Sequence, residues 1–334
     1  MITRTMGRNG PKVSALGIGA MSFSDFYGPT TDEASFAILD AALELGITLI
    51  DTANVYGMGR SETVIGQYLT ARGPDTRDRF HIATKASISR DPKTKARSFD
   101  NSPTHLAAEL DKSLKRLCIE RVDLFYVHRR DPRYEIEDVT ETLASFVKAG
   151  KIAAFGFSEI APASLRRAVA VHPVAAVQSE YSLATRLPEL GLVQACADTG
   201  AALVAFSPVC RGLLTDRPPT TETVAQSAFM SEAPRFTGDN LAANLVATNS
   251  LRRLAASMGV PTAALAIAWL LSRGDHVLPI PGTRSVDHLR DLARGCDMEL
   301  STDDLARIEA AFPVGSTHGD RYATAQWIGP ERYC

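Results

Sequence analysis

Short continuous apolar runs recur along this chain, separated by longer stretches in which apolar residues return at helical spacing. The opening stretch, 4–13, carries Asn9-Gly10, a dipeptide that favours a tight hairpin turn. The apolar runs at 15–21, 47–50, 80–84, 122–127, 152–157, 174–178, 201–206 and 277–280 then read as buried strands. Helical patterns follow them at 34–45, 61–69, 104–117, 136–149, 161–170, 188–198, 240–258, 262–272, 286–293 and 302–311. Gly46 and Gly150 stand where helices stop, and Pro162 stands where one starts. The segment 211–239 is rich in proline and threonine, and the tail 313–334 has no clear period.

This alternation predicts an α/β fold, a (β/α)8 TIM barrel with an N-terminal β-hairpin and extra C-terminal helices, as a single domain over 1–334. The rival is a doubly wound pair of nucleotide-binding halves, hinted at by Gly17-Ile18-Gly19. Ser22 stands where that motif needs its third glycine, and no acid follows about twenty residues later at a second strand end, so the barrel is preferred.

Composition narrows the class of partner. With 36 Lys and Arg against 38 Asp and Glu, the net charge of -2 argues against a nucleic-acid surface while allowing a local phosphate pocket. No apolar run approaches the roughly 20 residues of a membrane span. The start, Met1 to Gly7, has no secretory apolar core, so a cytoplasmic protein is expected. Cys118, Cys196, Cys210, Cys296 and Cys334 show no C-x-x-C spacing, which reads as reduced thiols with no metal site. The expected partner is a small molecule, with the chain a monomer or a small homo-oligomer.

In a barrel the carboxyl ends of different strands converge on one bowl. The ionisable residues there are Asp51 after the second strand, Lys85 after the third and His128 after the fourth, with Tyr56 in the loop following Asp51. Each alone has a structural explanation, but the four together have a chemical logic. A phenol's pKa near ~10 needs a neighbouring positive charge to come toward neutral pH. Lys85 supplies that charge, Asp51 keeps the lysine charged, and His128 hydrogen-bonds the oxygen that Tyr56 protonates. Such a site gives a proton to a carbonyl oxygen, and the accompanying hydride requires a nicotinamide or flavin.

Asp51-x4-Tyr56-Gly57 with Lys85 and His128 resembles the catalytic tetrad of the aldo-keto reductases. Further stretches agree: Leu16 to Met21, Phe155-Gly156-Phe157-Ser158, Gln178 to Ser182, Phe206-Ser207-Pro208, Arg211 to Leu214 and Ile280-Pro281-Gly282-Thr283-Arg284. The resemblance implies NADPH or NADP+ bound extended across the strand ends, with NADH possible. It makes Tyr56 the general acid, tuned by Lys85 and Asp51, with His128 orienting the carbonyl. Ser158 and Gln178 would hold the carboxamide, and Phe206 would stack on the nicotinamide. Ser207, Pro208, Arg211, Gly212 and Leu213 would cover the pyrophosphate. Thr283 and Arg284 would approach the 2′-phosphate, with Arg290 as a helper. Gly19, Met21, Asp51, Gly282, His288 and Asp291 complete the expected cofactor contacts. The segment 215–239 would be a lid or its support.

Three positions depart from the family pattern. Glu159 stands where asparagine is common, His288 where arginine is common and Leu292 where asparagine is common. The likeness implies reduction of an aldehyde or ketone to an alcohol. The alternatives are oxidation of a sugar or alcohol, or a cofactor-sensing regulatory subunit with little turnover. The substrate walls are expected from Phe23, Phe26, Tyr27, Val55, Tyr56, the Arg129-Arg130 turn, Arg321, Tyr322 and Trp327. Arg130 and Arg321, if free, would favour an anionic or phosphorylated substrate, but the preferred reading has them solvated or paired with the nearby Asp131 and Asp320.

Overall fold

The computed structural model of the chain describes residues 1–90, 93–94 and 96–333. Strands β1 (Thr3–Thr5) and β2 (Lys12–Ser14) pair antiparallel as the expected hairpin, with Asn9 at φ 62° in its turn. Next come β3 (Gly17–Gly19), β4 (Leu49–Asp51) and β5 (His81–Ala86). A separate antiparallel hairpin, β6 (Ile88–Arg90) and β7 (Arg97–Phe99), follows. The remaining strands are β8 (Val122–Val127), β9 (Ile152–Ser158), β10 (Ala176–Glu180), β11 (Ala202–Phe206) and β12 (Val277–Ile280).

Eight strands form one parallel sheet in the order β12-β11-β10-β9-β8-β5-β4-β3. The Gly19 N–H donates to the Pro281 carbonyl at 2.9 Å, so the two edges meet and the sheet closes into the expected barrel. A Cβ at Gly19 would lie 2.7 Å from the Ile280 carbonyl oxygen, so only glycine permits this approach.

The helices outside the barrel begin with α1 (Asp32–Glu44), α2 (Arg60–Arg72), α3 (Pro74–Asp78), α4 (Pro103–Leu117), α5 (Ile136–Lys148) and α6 (Pro162–Val171). They continue with α7 (Leu192–Thr199), α8 (Thr221–Ala225), α9 (Asp239–Ser257), α10 (Thr262–Leu271), α11 (Val286–Arg294) and α12 (Thr302–Ala311). No single helix among the described residues is long and apolar enough to cross a membrane; α9 and α10 are so only when taken together, across a 91° bend.

Strand periodicity places the site. Leu49, Ala83, Leu124, Tyr126, Ala176, Val204 and Leu278 pack together inside the barrel. Side chains two apart on a strand share a face. Asp51, Lys85, His128, Gln178 and Phe206 continue these inward rows toward the carboxyl ends, so an apolar floor gives way to a polar rim. Met6 and Val13 of the amino-terminal segment join the same inner cluster and plug the opposite mouth.

The structure departs from the expected elements in several places. The 15–21 strand is only β3, because Ala20–Ser24 winds into a short helical turn. The 188–198 helix is split by Gly191 at φ 113° into a turn at Leu187–Glu189 and α7. The β6–β7 hairpin lies where no element is expected. The segment 211–239 is packed rather than loose, with Leu213, Val224, Met230, Ala233 and Phe236 buried against the helix-side core. Cys118, Cys196, Cys210 and Cys296 are free thiols, and Cys334 lies outside the described residues.

Candidate active site

A cavity of about 1250 Å³ opens at the carboxyl ends of the strands. Asp51 ends β4, where it pairs laterally with β5, and it is 2% exposed. Lys85, fully buried on β5, ion-pairs with the Asp51 carboxylate and donates to the Thr52 carbonyl at 2.8 Å. Its third contact is the Tyr56 hydroxyl at 3.4 Å. An ammonium has three N–H groups, so these three partners use all of them. Gln178 on β10 donates to the other Asp51 oxygen at 2.7 Å, fixing the carboxylate from across the barrel.

Tyr56 reaches this point because the chain leaves β4 and turns sharply. Gly57, Met58 and Gly59 all have positive φ before α2 begins. A Cβ on Gly57 would come within 2.9 Å of the Ser24 and Arg60 Cβ atoms, so a larger residue there would push the turn away from the bowl. His128 follows β8, and its ring stands edge-on to Tyr56, with centroids 5.9 Å apart.

Electrostatics assigns protonation states. Burial pushes the Tyr56 phenol above its ordinary value, with Lys85 opposing that rise, so the free site holds a neutral phenol. Burial alone would lower Lys85, but the Asp51 carboxylate more than offsets it and keeps the ammonium charged. Burial, helped by the charges of Arg129, Lys85 and Arg97, holds His128 well below its ordinary value, so the imidazole is neutral.

The same cavity runs away from Tyr56 along a polar channel. Ser158, Gln178 and Phe206 line it, then Ser207, Pro208, Arg211 and Gly212, and finally Gly282, Thr283, Arg284, His288, Asp291 and Leu292, with Gly19 and Met21 alongside. Ser207, Cys210 and Arg211 adopt φ of 51°, 47° and 52°, a concentration of left-handed backbone typical of functional loops. Ser285 caps α11 by accepting from the His288 N–H, and Thr283 and Arg284 stand just before that helix start, where the dipole favours an anion. Arg284 donates to the Pro29 carbonyl at 2.8 Å and leaves the rest of its fork for other partners. The donor set and length of the channel fit an extended dinucleotide.

Some expected residues lie elsewhere. Lys85 sits behind Tyr56, and Leu213 is 1% exposed in the core, so neither lines the cavity. Phe23 is likewise buried, and Arg130, Arg321 and Trp327 are absent from the lining, whereas Phe26, Tyr27, Val55, Arg129 and Tyr322 are part of it. Arg290 pairs with Asp287 at 3.2 Å and does not reach the cavity. The expected local ion pairs also change partners. Arg130 pairs with Glu331 at 3.3 Å, while Asp131 is taken by Arg133. Arg321 ion-pairs with Glu159, and Asp320 accepts from the Trp327 indole N–H at 2.8 Å.

Glu159 is therefore engaged by Arg321 and is not part of the cavity lining. It also accepts from the Ser179 hydroxyl at 3.0 Å and the Glu180 N–H at 2.9 Å. Burial would raise its pKa, but the Arg321 guanidinium and the more distant Arg129 hold it down to about 2. The sequence reading missed Ile88 and Arg97 of the β6–β7 hairpin, Phe229 and Gln326, all of which line the cavity. Alternation of apolar and polar residues around Ile88 and Phe99 was the available signal for the hairpin.

Comparison with known proteins agrees with this geometry. The profile of the Aldo/keto reductase family matches residues 15–312. The chain is 36% identical over 323 residues to "Aldo-keto reductase yakc [NADP(+)]" of Schizosaccharomyces pombe, covering 96% of this chain and 94% of that one. It is 35% identical over 323 residues to "Probable aldo-keto reductase 1" of Glycine max, covering 95% and 90%. Among solved structures it resembles the glycerol dehydrogenase of Gluconobacter oxydans, with a TM-score of 0.81, 27% identity and coverage of 92% and 94%. Likeness that runs almost from end to end, in sequence and in backbone, leads to one assignment: the chain belongs to the aldo/keto reductase family.

Proposed function

We propose that this chain reduces an aldehyde or ketone to an alcohol with NADPH, Tyr56 acting as general acid. The observation that carries the reading is the Asp51–Lys85–Tyr56 chain of contacts at the floor of a cavity long enough for a dinucleotide. A bound nicotinamide supplies the hydride. Ser158 and Gln178 orient its carboxamide, and Phe206 offers the ring on which it stacks. The Tyr56 oxygen accepts from Lys85, so its own proton is free to point at a carbonyl oxygen.

His128 completes the site through its tautomer. Its Nδ1 is sealed off without a partner among the described residues. A buried lone pair without a donor costs less than a buried N–H without an acceptor, so we assign the proton to Nε2, which then donates to the substrate oxygen. Asp51, Lys85 and Gln178 hold the phenol in position without touching substrate. The S. pombe relative is named for NADP(+), and Arg284 beside the α11 start suits a 2′-phosphate through its bidentate fork.

The direct test is consumption of NADPH in the presence of a reactive aldehyde such as 4-nitrobenzaldehyde; no turnover would sink the proposal. Replacing Arg284 by alanine is expected to raise the Kd for NADPH on the order of tenfold while leaving NADH nearly unchanged. Equal losses for both cofactors would show that Arg284 does not read the phosphate.

The pH dependence follows from the same groups. A phenol raised by burial stays protonated through neutral pH, and a neutral imidazole stays neutral until well below ~6.5. Reductive kcat is therefore expected to stay flat across neutrality and fall only above about pH 10. An activity loss centred near neutral pH would contradict these states. The protonated phenol also favours reduction over the oxidative direction named for the Gluconobacter relative, which needs a phenolate.

A further inference from the structure

The cations around the cavity are unequally supplied with counter-charges. Lys85 has Asp51, Arg321 has Glu159, and Arg130 has Glu331. Arg235, Arg211 and Arg321 crowd around the single carboxylate of Glu180 at 3.4, 3.7 and 3.8 Å. Arg129 is different: among the described residues it forms no ion pair, although it is only 8% exposed.

Its hydrogen bonds show which part of the guanidinium is committed. Nη1 donates to the His128 carbonyl at 2.6 Å and to the Ser158 hydroxyl at 3.0 Å. Among the described residues Nε and Nη2 donate to nothing, yet neither belongs to the sealed-off polar atoms, so both are open to the cavity whose wall Arg129 forms. The backbone beneath is rigid. The Arg129 N–H donates to the Ser87 hydroxyl at 2.9 Å, and its carbonyl accepts from Ser87 and from the Asn101 amide. Glu159 is within range of the Arg129 field, but its oxygens are occupied by Arg321, Ser179 and the Glu180 N–H.

A guanidinium cannot discharge itself by losing its proton, and a largely buried charge with no counter-ion is costly. A positioned Nε–Nη2 edge facing the space beside Tyr56 and His128 matches the two oxygens of a carboxylate. We propose that Arg129 selects the substrate, so that the preferred carbonyl compounds carry a carboxylate that docks on this edge while the carbonyl oxygen meets Tyr56 and His128. This deepens the carbonyl-reductase reading and rests on it.

The test compares two aldehydes that differ in charge, 4-formylbenzoate and its methyl ester, at saturating NADPH. Wild type is expected to favour the carboxylate. Arg129→Met is expected to lower the ratio of kcat/KM for 4-formylbenzoate to that for the ester by about tenfold or more, mainly through the KM of the carboxylate. Arg129→Lys should recover part of the loss. Measurable ester reduction also reports that the variant is folded. Equal losses on both aldehydes, or no loss on either, would overturn the proposal.

If wild type reduces neither aldehyde, the carbonyl-reductase reading fails on its own, and thermal melting with benzoate then reads the anion site separately. Benzoate raising the Tm of wild type but not of Arg129→Met upholds the site. Equal protection of both overturns it.

Discussion

Tyr56→Phe is expected to lower kcat for aldehyde reduction by about 10²–10⁴-fold, the range a positioned general acid contributes. The change removes one oxygen and leaves the ring in place against His128. NADPH affinity should therefore stay close to wild type, because Ser158, Gln178, Phe206 and Arg284 are untouched. Lys85 loses one of its three acceptors but keeps Asp51 and the Thr52 carbonyl, so the fold should persist. Steady-state kcat measured beside NADPH binding by fluorescence separates the two effects. Retention of more than roughly a tenth of wild-type kcat would remove Tyr56 from the role of general acid.

Glu159→Ala should give the largest stability loss, about 3 kcal/mol at neutral pH. The estimate rests on the cost of stranding one partner of a buried ion pair. Arg321 is 4% exposed and, besides the Tyr322 and Trp327 rings it stacks on, would keep as its one carboxylate contact the longer one to Glu180, at 3.8 Å, which it shares with two other arginines. The pair also fastens the carboxyl-terminal tail, whose Glu331 N–H donates to the Glu159 carbonyl at 2.8 Å and whose Tyr322 lines the cavity.

The sign of the pH effect follows from a folded pKa of about 2, below the roughly 4.3 of an unfolded glutamate. The stabilisation is complete above the unfolded pKa and is lost as pH falls from about 4.5 toward 2. The stability gap between wild type and Glu159→Gln should therefore narrow below about pH 4.5. Denaturant titrations of both proteins from neutral pH downward would show it. Glu159→Ala unfolding together with wild type at pH 7 would mean that the tail is held by its other contacts.

The strands were legible because each buried run is short, apolar and followed by a helical period, and a closed barrel satisfies that repeat. The site was legible for a related reason. On β4, β5 and β8 the inward row of apolar residues ends in Asp51, Lys85 and His128, and the alternation of a strand makes that change visible one residue at a time. The β6–β7 hairpin was missed because its strands are only three residues each, so the alternation around Ile88 and Phe99 covers too few positions to stand out from a loop. Gly191 broke a helix that periodicity alone carried through it, because backbone conformation and not hydrophobic spacing decided the break.

The arginines mark the limit most clearly. By spacing, Arg321 belongs with Asp320 and Arg130 with Asp131. The folded chain gives Arg321 a partner 162 residues away and Arg130 one 201 residues away. Among the described residues it leaves Arg129, beside His128, without an ion pair. The sequence by itself determined the barrel and the four residues at its floor, since both are written in local period and strand-end chemistry. Only the tertiary structure decided which charges are paired, because that depends on how the tail crosses the mouth of the barrel, and no local spacing encodes a contact made over that distance.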